Sequence, residues 1–209
     1  MTRIYAMIAA GLVVAMVGGV FLYTTFMGSP DKYAQCRTTA IAGGTSQIGG
    51  PFTLVDQTGT TVTDTEVIDQ PALIYFGYTF CPDVCPLDTA RNAEAVDLLE
   101  ERGKIVKPVF ISVDPERDTP EVLEAFSFNL HERMQGLTGT PEQVRAASRA
   151  YRTFYQKQEP PAGDEDYYLV DHTTMSYLAF PDEGVVEVFQ RVLRAEDIAD
   201  RIACFMDAR

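Results

Sequence analysis

The chain has 209 residues, of which 46% are hydrophobic and 22% are charged, proportions typical of a folded protein and not of a disordered one. Seventeen basic and thirty acidic residues give a formal charge of −13, which disfavours nucleic acid as a partner because phosphate backbones are repelled. Four cysteines are too few for a disulfide-dense scaffold but are sufficient for one specialised site.

The first predicted element is a membrane-spanning helix. Residues 4–27 carry no charge and follow Arg3. As a helix they would extend roughly 36 Å, enough to cross a hydrocarbon core of about 30 Å and to contact lipid. We expect a single-pass anchor in the inner membrane, and the basic residue before the span favours a cytoplasmic N-terminus. A cleaved signal peptide is the alternative, although its apolar region is normally only about 7–15 residues long. Either interpretation places residues 31–209 in the periplasm or an equivalent non-cytoplasmic space.

The remainder of the chain divides into a linker and one folded domain. Residues 31–50 are rich in glycine, serine and threonine and offer little for a core, so we expect a linker there. The predicted organisation is therefore a membrane anchor at 1–30, a linker at 31–50 and a domain at 51–209.

The domain is predicted to be of the α/β class. The predicted elements are a hairpin at 52–55 and 60–63, a strand at 72–76, a helix at 86–103, a strand at 105–113, helices at 119–133 and 140–155, strands at 175–180 and 185–189, and a helix at 195–206. Strands 72–76 and 105–113 flank one helix and should be parallel, whereas the last two strands should form an antiparallel hairpin. A mixed sheet flanked by helices follows from this order.

The segment Cys81-Pro-Asp-Val-Cys85-Pro86 carries the main chemical signal. It follows a buried strand, where ligand sites form in open sheets of this kind. Positions i and i+4 are neighbours on a helix, and a helix N-terminus favours thiolate over thiol. Soft thiolates select Cu(I), with zinc as the usual competitor. His172, in a polar turn that feeds a strand, can supply a third donor at the same end of the sheet. The other histidine, His131, lies on a charged helix and is predicted to be solvated.

Two other interpretations of the cysteine pair stay open. A structural disulfide between Cys81 and Cys85 is disfavoured, since their spacing strains disulfide geometry and the closed loop is tiny. A thioredoxin-type redox pair normally has the pattern C-x-x-C, one residue shorter than the pattern here.

Four segments together resemble the Sco/SenC family. They are Phe76-Gly-Tyr-Thr-Phe-Cys81-Pro-Asp-Val-Cys85-Pro86, Ser112-Val-Asp-Pro-Glu-Arg-Asp-Thr-Pro120, Gly136-Leu-Thr-Gly-Thr140 and Tyr168-Leu-Val-Asp-His172-Thr. The resemblance runs from about Gly50 to Phe189 in the expected order. It implies a thioredoxin-like fold on an N-terminal transmembrane helix. One departure is Phe80, where a histidine that is not a ligand is frequent in relatives.

The resemblance also implies a function. The family binds copper and helps to assemble the dinuclear copper centre of cytochrome c oxidase, so the implied recipient is oxidase subunit II, with other copper chaperones as further partners. By motif match, the copper ligands are Cys81, Cys85 and His172. The second function left open is a thiol–disulfide oxidoreductase that reduces the oxidase cysteines through Cys81 and Cys85. Whether the chain is an enzyme therefore stays undecided. The two functions differ in their use of His172, which only the copper function requires directly.

Neighbouring residues receive supporting interpretations. Asp171 either orients His172 or is a turn residue, and Tyr78 is expected to pack beside the sulfur atoms. The loop that contains Asp114, Arg117 and Asp118 is expected to hold a fixed ion pair at the same end of the sheet.

Two cysteines remain once the site is assigned. Cys36 lies in the linker and Cys204 in the last predicted helix. In an oxidising compartment, we expect them to form a structural disulfide that pins the linker to the domain.

Overall fold

The computed structural model describes residues 2–26, 31–37, 44–45, 47–160, 163 and 167–209. The chain forms two compact units, Met1–Gln35 and Cys36–Arg209. Within the predicted linker, residues 38–43 and 46 lie outside the described residues. The predicted boundaries after residues 30 and 50 stay predictions.

The first unit contains a long apolar helix, α1 (Thr2–Phe26). Its stretch from Arg3 to Tyr23 has a mean hydropathy of 2.3 and is long enough to cross a membrane. Among the described residues it is the one helix that meets this criterion. A signal sequence near the N-terminus can meet the same criterion, so an anchor and a signal peptide both stay open for this helix.

The second unit is built on a seven-stranded mixed sheet flanked by helices, as predicted. Its elements are β1 (Thr53–Asp56), β2 (Thr61–Thr63), the single-turn α2 (Asp64–Val67), β3 (Ala72–Gly77), α3 (Val84–Glu101), β4 (Lys107–Ser112), α4 (Pro120–Leu130), β5 (Gln135–Thr138), α5 (Pro141–Ala150), β6 (Tyr155–Lys157), β7 (Val170–His172), β8 (Ser176–Phe180), β9 (Gly184–Phe189) and α6 (Ala195–Asp207). The strand order is β2-β1-β5-β4-β3-β8-β9, and β6 and β7 form a separate small sheet.

Strand β3 lies in the interior of the sheet, between β4 and β8. All six of its residues are buried, which explains the uninterrupted apolar run of its sequence. It pairs in parallel with β4, from Ala72 opposite Lys107 to Gly77 opposite Ser112, which confirms the predicted crossover. It pairs antiparallel with β8 on its other edge, and β8 and β9 form the predicted antiparallel hairpin.

The region after α4 differs from the prediction. The helix that begins at Pro120 ends at Leu130, and the unpredicted strand β5 follows it and pairs with both β4 and β1. Gly136 hides this strand in the sequence because glycine is uncommon in strand interiors. A Cβ atom at Gly136 would lie 2.7 Å from Ser127 Oγ and 3.1 Å from Leu123 Cβ, so glycine lets α4 pack closely on β5.

The prediction that His131 is solvated is wrong. The residue caps the C-terminal end of α4 and is only 9% exposed. Its Nδ1 accepts a hydrogen bond from the Arg133 N–H, and its Nε2 lies 3.2 Å from an Asp97 carboxylate oxygen on α3. The helix ends earlier than its charged sequence suggested, and the imidazole then packs against α3.

The predicted helix at 140–155 is also shorter than expected. It ends at Ala150, and Tyr155–Lys157 pairs antiparallel with Val170–His172. The pairing sets Tyr155 opposite His172, so the histidine lies at the end of a strand and not in a free turn.

A disulfide joins Cys36 to Cys204 of α6, as predicted, with the Cα atoms 5.7 Å apart. The neighbouring Arg37 strengthens the attachment, because its guanidinium donates a 2.6 Å hydrogen bond to the Val186 carbonyl and lies 3.9 Å from the buried Glu187 carboxylate. Residues 36 and 37 are thereby attached to both α6 and the edge strand β9.

We expect Cys36→Ser to lower the free energy of unfolding of the domain by about 2–5 kcal/mol, because the disulfide closes a loop of 168 residues and restricts the unfolded chain. Urea unfolding of the full chain in detergent, followed by tyrosine fluorescence, measures the change. Cys204→Ser and the double variant are matched controls and should show the same loss. A midpoint equal to that of wild type in all three variants would contradict this role.

Candidate metal centre

The cysteine segment turns from β3 into α3. Gly77 ends the strand, and a Cβ atom there would lie 2.9 Å from the Tyr75 ring and 3.2 Å from Cys85 Sγ, so only glycine leaves room for the sulfur. Cys85 lies in the first turn of α3 and is completely buried, whereas Cys81 lies in the preceding loop and is partly exposed. Both are free thiols.

The two sulfurs converge in a way that differs from the prediction. Cys81 is outside the helix, so the pair does not occupy two successive turns. Instead the backbone N–H of Cys85 donates a 3.3 Å hydrogen bond to Cys81 Sγ. The sulfur therefore accepts from an N–H group that the helix leaves unpaired at its N-terminal end, where the helix dipole favours negative charge.

His172 reaches the same place from β7. Its Nε2 lies 3.1 Å from Cys85 Sγ, and the donor atoms of Cys81, Cys85 and His172 all lie within 4.8 Å of one another. Nδ1 lies 3.0 Å from the Thr173 carbonyl, which can only accept, so Nδ1 carries the ring hydrogen. The lone pair of Nε2 is then directed towards the sulfurs, as a metal ligand requires.

The donor set fits a single soft metal ion. Ligands about 2.0–2.3 Å from one ion in a plane lie roughly 4 Å from one another, which is between the 3.1 Å that separates Cys85 Sγ from His172 Nε2 and the 4.8 Å limit for all three donors. Two sulfurs and one imidazole nitrogen are the donor types that suit copper and zinc.

Aromatic rings fix the imidazole plane. The Tyr75 and Tyr78 rings meet the His172 ring edge-on, with centroid distances of 6.1 and 5.9 Å and interplanar angles of 87° and 88°. Tyr78 is buried beside the sulfurs, as predicted, and burial raises its pKa to about 12, so it stays a neutral phenol at physiological pH. A cavity of about 230 Å³, lined by Cys81 and His172, opens next to these rings.

The two thiols differ in acidity. Burial opposes ionisation of Cys81, but hydrogen bonds from the backbone N–H groups of Cys85 and Asp83 outweigh it and lower the pKa of Cys81 below its usual range. Burial raises the pKa of Cys85, which keeps that thiol protonated in the metal-free protein. Burial also lowers the pKa of His172, so the ring is neutral and able to bind a metal.

We expect iodoacetamide to alkylate Cys81 at least about tenfold faster than Cys85 in the metal-free chain, because Cys81 combines thiolate character with exposure. Timed quenching followed by peptide mass mapping measures both rates in one sample. Alkylation in 8 M urea is the control, since unfolding should equalise the two rates. Equal rates in the folded chain would contradict the assigned acidities.

Comparison with known proteins matches this arrangement to one family. The SCO1/SenC family model matches residues 41–207. The chain belongs to the SCO1/SenC family. The SenC protein of Rhodobacter capsulatus is 50% identical over 203 residues, which cover 97% of this chain and 90% of that protein.

Two solved structures of the SCO1/SenC family share the fold. The crystal structure of Arabidopsis thaliana ScoI with copper bound has a TM-score of 0.73 and 37% identity, and it covers 78% of this chain and 99% of its own. The crystal structure of yeast Sco1 with copper bound has a TM-score of 0.72 and 32% identity, and it covers 78% of this chain and 90% of its own. These matches confirm the fold class that the sequence predicted.

The loop after β4 supports the cysteine segment. The buried Asp118 carboxylate accepts hydrogen bonds from the Thr79 backbone N–H at 3.1 Å, the Thr79 hydroxyl at 2.6 Å and the Ser112 hydroxyl at 2.5 Å. The predicted ion pair joins Arg117 to Asp114 at 2.6 Å. Thr79 lies two residues before Cys81, so Asp118 holds the start of the SCO1/SenC cysteine loop in place.

Asp171 does not orient His172. Its carboxylate is exposed and accepts a hydrogen bond from Gln158 Nε2 at 2.8 Å, and the Thr173 carbonyl sets the ring tautomer instead. The turn interpretation is also wrong, because Asp171 lies in strand β7 opposite Gln156. Sequence reasoning missed Asp88, which is buried on α3 and accepts a 3.1 Å hydrogen bond from the hydroxyl of Tyr75. The available signal was an acidic residue three positions after Cys85, on the buried face of the helix.

A second cluster, Asp97, Glu100 and His131, also brings three potential ligands together. The Arg133 N–H occupies Nδ1 of His131, so the neutral ring carries its hydrogen on Nε2, the atom that faces Asp97. Glu100 forms a 2.6 Å ion pair with Arg133. We interpret this cluster as one hydrogen bond, between His131 and Asp97, and one ion pair, between Arg133 and Glu100, which join α3 to the end of α4.

Proposed function

We propose that this chain is a membrane-anchored copper chaperone that helps to form the dinuclear copper centre of cytochrome c oxidase. The observation that carries the proposal is the convergence of Cys81, Cys85 and His172 within 4.8 Å. Proteins of the SCO1/SenC family take part in assembly of cytochrome c oxidase, and two relatives have structures with copper bound. Copper is the cargo in this proposal and not a resident cofactor.

The donor set favours Cu(I) over harder ions. Two thiolates match a soft cation, and His172 adds a neutral nitrogen. Binding must displace the proton from Cys85, whose buried thiol stays protonated without metal, so copper uptake releases protons. Three protein donors leave the ion open to an incoming ligand.

The unequal exposure of the ligands suggests how copper leaves. Cys85 is fully buried and His172 is fixed between two tyrosine rings, whereas Cys81 borders the cavity at the surface. An incoming thiolate can therefore displace Cys81 first, and copper stays bound to protein at each step of the exchange. We propose that the incoming ligands are the copper-site cysteines of oxidase subunit II, and that copper arrives from another copper chaperone.

The proposed location follows from α1 and the disulfide. Residues 4–27 would anchor the chain in the inner membrane with a cytoplasmic N-terminus and the domain in the periplasm, or an equivalent space. The Cys36–Cys204 disulfide supports an oxidising compartment for the domain.

The test is copper transfer between purified proteins. The reduced full chain in dodecyl maltoside is loaded with Cu(I) and mixed with the copper-free soluble domain of oxidase subunit II, and the two are then separated and analysed for metal. We expect most of the copper on the subunit II domain. The Cys81→Ser/Cys85→Ser variant, treated identically, is the control for copper carried over without binding. Copper that stays on the loaded chain would contradict the proposal.

The acidity difference between the thiols favours a second candidate function, thiol–disulfide oxidoreductase. A thiolate at Cys81 can attack a disulfide, and Cys85 can then resolve the mixed disulfide, as in other dithiol reductases. This function would serve the same partner by keeping its cysteines reduced. It differs from the copper function in that it does not require His172 as a ligand.

A further inference from the structure

A second concave surface lies beside the small sheet that β6 and β7 form. It is a groove of about 460 Å³ between β6 and α5, and all three residues of β6 line it together with Arg145 and Arg149. We call it the β6 groove. Its wall also includes Val170, the residue two positions before His172 on β7. The groove and the candidate metal centre therefore share one two-stranded sheet.

One wall of the groove is an unpaired strand edge. On either side of β6, Gln158 N–H donates to the Leu169 carbonyl and Thr173 N–H donates to the Phe154 carbonyl. Hydrogen-bonded pairs alternate in an antiparallel ladder, so Gln156, midway between them, is the β6 residue that bonds to β7. By this alternation, the backbone N–H and C=O groups of Tyr155 and Lys157 point away from β7. Among the described residues β6 pairs with no strand other than β7, so these four groups have no partner in a sheet.

The groove reaches round this free edge. Successive side chains of a strand point to opposite faces, yet Tyr155, Gln156 and Lys157 all line the groove. Since β7 covers the other edge of β6, a surface that touches both faces must pass along the free edge. An extended peptide placed there can add a third strand through main-chain hydrogen bonds.

The charges on the walls define the occupant. Lys157 is paired with Glu116 at 2.6 Å, and the wall residue Asp114 is paired with Arg117. Arg145 and Arg149 are exposed one turn apart on α5 and have no ion pair with any residue that the structure describes. The groove therefore has a positive excess on a chain whose formal charge is −13, and it complements carboxylates.

We propose that the β6 groove binds an extended acidic segment of a partner protein as a third strand beside β6. Carboxylate side chains of the segment would pair with Arg145 and Arg149, and its backbone would pair with Tyr155 and Lys157. Neighbouring strands are about 4.8 Å apart, so the segment would lie roughly 10 Å from the strand that carries His172. The proposal goes beyond copper binding, and its test uses metal-free protein, so its failure leaves the copper function untouched.

The test is peptide binding to the full chain in dodecyl maltoside. The probe is a fluorescein-labelled hexapeptide that alternates valine and glutamate, and the matched control peptide alternates valine and lysine. Fluorescence anisotropy measures affinity, and hydrogen exchange measures protection of the Tyr155 and Lys157 amides. We expect the chain to bind the acidic peptide and not the lysine peptide, and the bound peptide to protect both amides from exchange. In the Arg145→Ala/Arg149→Ala variant we expect affinity for the acidic peptide to be at least about tenfold weaker.

A second pair of variants isolates the strand edge. Lys157→Pro removes one outward N–H group, a change that edge strands tolerate, whereas Lys157→Ala removes the same side chain and keeps the N–H group. We expect about tenfold weaker peptide binding in the proline variant than in the alanine variant. Thermal melting checks that both variants are folded. If the proline variant is not folded, the arginine variants test the proposal.

Three results would overturn the proposal. Equal affinity for the lysine peptide would exclude charge recognition. A simple anion site would be indicated if inorganic phosphate displaced the acidic peptide at the concentration that saturates the arginines and if the bound peptide did not protect the two amides. If the chain dimerised, lost its dimerisation in the arginine variants and did not bind the peptide, the groove would be assigned to a second copy of this chain.

Discussion

Replacement of His172 by alanine is expected to weaken Cu(I) binding by more than about 100-fold, because loss of a ligand should exceed the 10–100-fold loss that follows when only a group supporting a ligand is changed. The variant keeps both sulfurs and the backbone N–H groups that stabilise the Cys81 thiolate. Thiol–disulfide exchange through Cys81 should therefore stay within about threefold of wild type. Competition with a Cu(I) chelator measures affinity, and reduction of a disulfide-linked peptide measures exchange in the same preparation.

His131→Ala is the matched control for this experiment. It also removes a buried imidazole, but that ring contacts Asp97 and Arg133 and has no contact with the sulfurs. We expect wild-type copper affinity in this variant even if its thermal stability falls. Unchanged copper affinity in His172→Ala would remove His172 from the ligand set and would leave the oxidoreductase function as the better interpretation.

The sequence predicted the central sheet well because its signals are local and strong. The uninterrupted apolar run at 72–76 is short and is bounded by Pro71 and Gly77, which favours a strand that is covered on both faces over a buried helix. The capping residues Thr119 and Thr140 likewise mark the starts of α4 and α5 correctly, since each accepts a hydrogen bond from a helix N–H group. The ends of these helices were predicted too late because no glycine or proline terminates either of them.

The sequence predicts which residues form the candidate site but not the hydrogen bonds and packing contacts around them. The convergence of Cys81, Cys85 and His172 was expected from motif order and the end of the sheet. The tautomer of His172 depends on the Thr173 carbonyl, and the buried Asp88 depends on how α3 faces β3; neither is encoded by spacing alone. His131 was misread for the same reason, since its burial is decided by contacts between α3 and α4.

Oxidation of the Cys81–Cys85 pair is expected to abolish copper loading. A disulfide bond forms between the two sulfurs, two protons and two electrons pass to the oxidant, and two of the three donors lose the thiolate character that a soft ion requires. The two sulfurs lie within 4.8 Å of each other, and Cys81 lies in a loop, so a modest shift of that loop brings them to bonding distance. If the proposed copper function is correct, the dithiol can therefore serve either as copper ligands or as a disulfide, but not as both at once.

The experiment measures bound copper before and after oxidation and again after reduction. We expect roughly one copper ion per reduced chain, less than about a tenth of that after oxidation, and full recovery when the disulfide is reduced. The control is Cys81→Ser, which cannot form this disulfide, so its weaker copper binding should not respond to an intramolecular oxidation. Mass mapping must show that Cys36–Cys204 stays intact throughout, so that the change in bound copper is assigned to the Cys81–Cys85 pair alone. Equal copper binding by oxidised and reduced chains would mean that the sulfurs are not the ligands, and the copper function would then have to be placed elsewhere on the domain.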